Sequence, residues 1–157
     1  MRKSFRAPWS TKLVSTTILF VAILGFVFYI AGGWGRYAIL AVAVLALVFA
    51  IRGYHIRDGK LLILRLGWSA KLDLAELTSA EVNPAATMGS VRALGIGGLF
   101  GFVGRFHNSV LGSYKAYATN ADNAVVLGFD GEKIVVTPDA PDEFVEAITS
   151  EAGINST

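Results

Sequence analysis

His55 and His107 are the only two histidines in the chain, and there is no cysteine. The missing cysteines exclude a thiol nucleophile, a disulfide scaffold and any cysteine-bound zinc. A histidine metal site would need scattered carboxylates, because no His-Glu-x-x-His spacing is present. Ser109 or Ser113 can be drawn with His107 and an acid as a hydrolytic triad, but any chain supplies such trios, and serines and histidines on strands are ordinarily structural or solvated. Gly98, Gly101 and Gly104 recur three apart, yet neither a phosphate-loop lysine nor G-x-G-x-x-G accompanies them. Glycines so placed suit sharp bending of the chain. The reading is therefore of a non-enzyme, with no catalytic residue, no metal and no cofactor.

The elements that carry these residues divide by composition. The chain has 157 residues, 54% hydrophobic and only 17% charged, with a mean hydropathy of +0.54. A soluble domain averages about 25% charged residues, so this is the composition of a membrane protein. Charge is unevenly spread. Residues 1–12 carry Arg2, Lys3, Arg6 and Lys12 and no acid, residues 13–51 carry only Arg36, and residues 52–157 carry nine bases against twelve acids. The basic balance belongs to the anchor, and the folded part lacks the positive patch that nucleic acid requires.

Residues 13–31 (LVSTTILFVAILGFVFYIA) are free of charge over nineteen positions, the length of one bilayer crossing. Residues 37–51 are a second uncharged run, which spans if residues 34–36 join it and Arg36 reaches the interface. Spans at 13–31 and 34–51 make an antiparallel hairpin, with Tyr29, Trp34 and Tyr37 at its turn. A cleaved signal peptide fits less well, since a second apolar run follows at once. Bases before the first span and after the second, against one between, place both termini in the cytoplasm. Asn155-Ser156-Thr157 is then a chance glycosylation match in a frayed tail, residues 153–157.

Beyond the anchor the pattern changes to period two. Strands are expected at residues 54–57 and 60–66 around Asp58-Gly59, at 69–74, at 79–83 before Pro84, at 113–119, at 124–129, and at 133–137 after Asp130-Gly131. A glycine-dense stretch, 89–112, interrupts them. Asp139 is placed to cap a final helix, in which Pro141, Phe144, Val145, Ile148 and Ala152 form one apolar stripe and Gly153 is the stop. The stripe is expected to pack on the sheet.

Several runs resemble the bacterial pleckstrin-homology (PH) domains: residues 98–106 (GLFGFVGRF), 111–114 (LGSY), 116–120 (AYATN), 123–127 (NAVVL) and 134–139 (IVVTPD). The likeness covers about residues 53–152. It implies a PH-like barrel without catalytic residues, often preceded by membrane spans. The fold expected is mainly β: a two-span transmembrane hairpin, then a seven-stranded antiparallel barrel capped by a C-terminal helix. The likeness also implies a bacterial inner-membrane protein. Eukaryotic relatives bind inositol phosphates in a roomy first-strand loop. Here that loop is only Arg57-Asp58-Gly59-Lys60, too tight to cradle a headgroup, and Asp58 repels phosphate.

With almost no linker after the second span, the domain should ride on the bilayer. Arg2, Lys3, Arg6, Lys12, Arg52 and Arg65 are the expected interface charges. Trp68, Phe102, Arg105 and His107 are the candidate contacts to a partner or to the membrane. Either Trp68 and the Leu99, Phe100 and Phe102 segment touch lipid or a neighbouring membrane protein, or Phe100, Phe102 and Phe106 fill the barrel core. Residues 130–151 hold seven acids and one base, a face expected to point away from anionic lipid. Two functions follow: an interaction module that scaffolds or regulates a membrane complex, with other membrane or cytoplasmic proteins and the lipid bilayer as partners and self-association left open; or a membrane-surface sensor of a lipid or small ligand.

Overall fold

A computed structural model of the protein describes residues 3–48, 50–97 and 101–154. The first element, β1 (Ser4–Arg6), is followed by the helices α1 (Thr11–Ile30) and α2 (Trp34–Val48). Then come β2 (Ile51–Arg57), β3 (Lys60–Arg65), β4 (Ser69–Asp73), β5 (Leu77–Val82), β6 (Val91–Gly97), β7 (Phe102–Asn108), β8 (Gly112–Ala118), β9 (Val125–Phe129) and β10 (Glu132–Val136), and last α3 (Pro141–Ala152). Local chemistry fixes the tightest turn: Asp58 and Gly59 both take positive φ, 54° and 67°, so Arg57 pairs directly with Lys60.

The single seven-stranded antiparallel barrel expected from the sequence is corrected. Among the described residues there are ten strands in two sheets, β1-β2-β3-β4 and β5-β9-β10-β8-β7-β6, and β8 and β10 run parallel. Period-two patterning finds strands but does not tell which strands are neighbours. It also passed over three. β6 and β7 lie in the glycine-dense stretch, where glycine weakens the strand signal. β1 is only three residues long and lies among basic residues.

β1 changes the architecture most. Phe5 pairs with Tyr54 and Arg6 with Gly53 in antiparallel register, so β1 and β2 are adjacent strands and the helical pair is inserted between them. Residues 4–6 are thus part of the sheet, where the sequence reading has only a basic segment ahead of the first span. Gly53 has to be small: a Cβ there would lie 2.6 Å from the Phe5 carbonyl oxygen.

The main core fills the space enclosed by the two sheets and α3. Phe144 is fully buried, with the Phe5 ring edge-on at 5.1 Å and the Tyr54 ring at 6.0 Å. Around them pack Ile56, Leu61, Ile63, Leu127, Ile134 and Ile148. The apolar stripe of α3 therefore packs inward, and Gly153 ends the helix at φ 70°. Asp139 does not cap α3. The N-cap is Ala140, without a side-chain bond. Asp139 instead clamps β1: its amide donates to the Arg6 carbonyl at 2.9 Å, and its Oδ1 accepts from the Arg6 amide at 3.0 Å.

α1 has 20 residues and a mean hydropathy of 2.4, long and apolar enough to cross a bilayer. α2 is as apolar in character but has 15 residues, about 22 Å at 1.5 Å per residue, and ends at Val48 instead of reaching residue 51. Ile18, Leu19, Phe26 and Leu45 lie outward and uncovered. Arg36, the one charge of the turn, donates from Nε to the Ala31 carbonyl at 2.9 Å and lies over the Phe28 ring at 5.5 Å. It satisfies a carbonyl that the end of α1 leaves open.

Candidate membrane-facing site

Both legs of the helical hairpin are seated on the β domain. On the α1 side, Ser10 caps the helix by accepting from the Leu13 amide at 3.2 Å, while its own amide donates to the Thr119 carbonyl at 3.3 Å. The Thr119 hydroxyl donates to the Pro8 carbonyl at 2.8 Å, and the Thr119 amide donates to Thr137 Oγ1 at 2.8 Å. The Thr137 amide in turn donates to the Tyr54 hydroxyl at 3.1 Å, which donates to the Tyr117 carbonyl at 2.6 Å. Burial pushes the Tyr54 phenol up to about 12, outweighing its hydrogen bonds to Thr137. This chain of polar groups, with Thr119 and Thr137 fully buried, fixes where α1 leaves the domain. On the α2 side, Gly67 in the β3–β4 turn lies so close to Val48 that a Cβ would sit 2.8 Å from Val48 Cγ1.

Large side chains lie near the α2 attachment, where Trp9 and Leu66 line a hollow with Leu47 and Ala50. Trp9, Leu66 and Trp68 are 41%, 55% and 46% exposed. Arg65 stands between two of the domain's rings, its guanidinium 5.6 Å from the Trp68 centroid and 5.1 Å from that of Tyr117. Arg52 is exposed at the start of β2, beside Ile51, which pairs with Arg65.

Next to the α1 attachment lies a cavity of about 430 Å³. Ser10, Thr11 and Lys12 from the first turn of α1 form one wall, Phe102, Phe106, Tyr114, Ala116 and Ala118 another, and Asn120 to Asp122 the third. Phe106 and Tyr114 are stacked at 6.0 Å, with Phe102 edge-on to Phe106 at 6.5 Å. The space exists because Tyr114, Ala116 and Ala118 share a face of β8, and beyond the tyrosine only methyl groups project. Phe102 pairs with Ala118, and the next residue, Thr119, bonds Pro8 and Ser10, so this end of the cavity lies beside the base of the hairpin.

The four candidate contacts do not form one patch. Alternation along β7 puts Phe102 with Phe106 on the cavity face and Arg105 with His107 on the opposite face. Arg105 lies opposite Lys115, whose charge is met by Glu132 at 2.8 Å. His107 Nδ1 is 3.1 Å from Ser113 Oγ across the two strands, and among the described residues no carboxylate bonds that imidazole. Trp68 sits apart, on Arg65.

The interface charges also separate. Lys12 and Arg52 are at the hairpin base, and Arg65 lies between the rings. Arg6 is on β1 at the same end. Lys3 is at the far end of the sheet, where its Nζ meets Glu151 Oε2 at 3.1 Å. Antiparallel β1 runs toward the hairpin, so Lys3, which precedes it and whose carbonyl accepts from the Ile56 amide, is the remote one. Glu151 Oε1 also accepts from the Gly59 amide at 3.1 Å, and that bond, with Lys3, holds its carboxyl below the usual range. Arg2, Leu99 and Phe100 lie outside the described residues. The sequence reading missed the cavity. Its available signal was the alternation of small residues in Ala116 and Ala118.

A family model described as Bacterial PH domain matches residues 52–152. No curated protein and no solved structure matches the chain.

Proposed function

The chain belongs to the bacterial PH domain family, and from that premise we propose that it is a membrane-tethered interaction module that scaffolds or regulates a membrane protein complex at the cytoplasmic face. The observation that carries the reading is the pairing of β1 with β2 across the apolar hairpin. Neighbouring strands of one sheet lie on one side of a bilayer. The 40 or so residues between them must leave and return on that side, about two crossings for helices of this length. Lys12 and Arg52 at the base, against Arg36 at the turn, favour the cytoplasm for the domain.

Mounted this way, the domain has no freedom to diffuse from the membrane. Weak contacts to neighbours in the plane then suffice, because tethering raises the effective concentration. Trp9, Trp68 and Phe102, each an exposed large side chain, are the best suited to such contacts. Arg105 and His107 belong to a separate face, open to a cytoplasmic protein.

The absence of cysteine makes the test direct. Single cysteines placed at Gly33 in the turn and at Ser150 in α3 are challenged in intact cells with a membrane-impermeant maleimide. The reading expects labelling at position 33 alone, and at 150 only after lysis. Labelling of position 150 from outside would sink it. A second reading, a sensor of a lipid or small ligand at the membrane surface, is favoured by one specific observation, the cavity beside the base of α1.

A further inference from the structure

We propose that the cavity beside the first turn of α1 binds the headgroup of a single phospholipid from the adjoining leaflet, and that this headgroup is zwitterionic, carrying a phosphate and an ammonium as phosphoethanolamine does. The proposal rests on the membrane mounting argued above and names the ligand class of that surface.

Three observations converge on this occupant. The first is continuity: Ser10, Thr11 and Lys12 both begin the apolar helix and line the cavity, so the cavity lies against the first turn of α1. The second is charge. Lys12 and Asp122 stand on the lining, both exposed, and among the described residues neither is in an ion pair. A cation and an anion on one rim match a phosphate joined to an ammonium; a purely anionic headgroup would meet Asp122 unfavourably.

The third is the shape and wetting of the interior. At about 430 Å³ it falls within the range of small-ligand sites, room for a headgroup with the first carbons of its chains and not for a whole lipid. Its deep polar groups are already satisfied. The Tyr114 hydroxyl is 2.7 Å from Ser90 Oγ, which donates to the Thr87 carbonyl at 2.7 Å and accepts from Asn108 Nδ2 at 3.0 Å. What remains exposed to a ligand there is ring and methyl surface: Phe102, Phe106, Ala116 and Ala118. Polar rim and apolar interior suit an amphiphile.

The test uses the full chain, purified in detergent and stripped of lipid, then offered phosphatidylethanolamine or phosphatidylglycerol with the same acyl chains. Bound lipid is counted by native mass spectrometry. The wild type should take up one phosphatidylethanolamine, with at least about fivefold preference over phosphatidylglycerol. Lys12→Glu should weaken uptake of both lipids, because each offers its phosphate to that position, Asp122→Lys should reverse the preference, and Ala118→Leu, which fills the cavity, should remove the bound lipid. Ala118 is buried, so if that variant fails to fold the two exposed charge variants decide. Equal uptake of both lipids, no uptake, uptake untouched by Lys12→Glu, or a preference untouched by Asp122→Lys would overturn the proposal. Carbonate extraction of the same proteins separates the two ideas. Extraction of the wild type from membranes would sink the mounting itself, whereas firm insertion with indiscriminate lipid uptake would sink only the lipid site.

Discussion

Ser4 and His55, 51 positions apart in the chain, face one another across β1 and β2, with Ser4 Oγ 2.9 Å from His55 Nε2. Everything between them, including both apolar helices, is an insertion into a two-strand connection. The domain is therefore not a bead attached to the end of a helical hairpin. Its sheet is closed by residues from both sides of the hairpin, and that arrangement makes several outcomes calculable.

The first concerns what folds alone. A fragment of residues 53–157 lacks β1 and with it Phe5, which is 1% exposed and packs on Phe144. It should be far less stable than a chain in which residues 11–48 are replaced by a short Gly-Ser linker, which keeps β1 beside β2. In that shortened chain Phe5→Ala should cost about 3–5 kcal/mol. Urea midpoints of the two chains and the variant measure this; equal midpoints with and without β1 would refute it.

Tyr54 gives a titration. Its phenol is raised to about 12 by burial, while an unfolded tyrosine ionises near 10. The unfolded state therefore loses its proton first. Stability from this group is intact below about pH 10 and falls as pH rises toward 12. Absorbance of tyrosinate in the folded protein should show one phenol that resists ionisation to about pH 12. Tyr54→Phe should remove that late step. It should also cost about 1–3 kcal/mol, because the Thr137 amide loses its acceptor.

Glu151 gives the opposite sign. The Gly59 amide, then Lys3, hold its carboxyl below the ordinary value. Its contribution is present above the unfolded carboxylate pKa and is lost as pH falls through the lowered folded one. The thermal midpoint of the wild type should decline across that acid window, and Glu151→Gln should flatten part of the decline. Identical acid profiles would show that the Lys3–Glu151–Gly59 contact does not matter for stability.

The α2 attachment can be probed by crowding. Gly67→Ala puts a methyl within 2.8 Å of Val48 Cγ1, and a β-branched neighbour turns aside poorly. A loss of about 1–3 kcal/mol is expected. Val48→Ala in the same chain should restore most of it, and a double-mutant cycle in detergent reads the coupling. Additive effects would mean that the two residues do not touch.

The two apolar helices, the Asp58-Gly59 hairpin, seven of the strands and α3 with its Gly153 stop were legible in the amino-acid sequence. Each is set by local rules: continuous apolarity, period two, a positive-φ turn, a 3.6-residue stripe. So was the family, through the runs around residues 98–139. The tertiary structure alone decided the rest, because none of it has a local signature. The pairing of Ser4–Arg6 with β2 joins residues that no short window contains. The same pairing sends Lys3 to the far end of the sheet, although charge counting groups it with Lys12. Asp139 has a helix-capping residue type and position, yet spends its bonds on Arg6. Phe102 and Arg105 are neighbours in sequence and lie on opposite faces of one strand. The cavity exists only because Ala116 and Ala118 come to lie beside the first turn of α1, which is a fact about packing between distant segments, and the sequence records distance along the chain only.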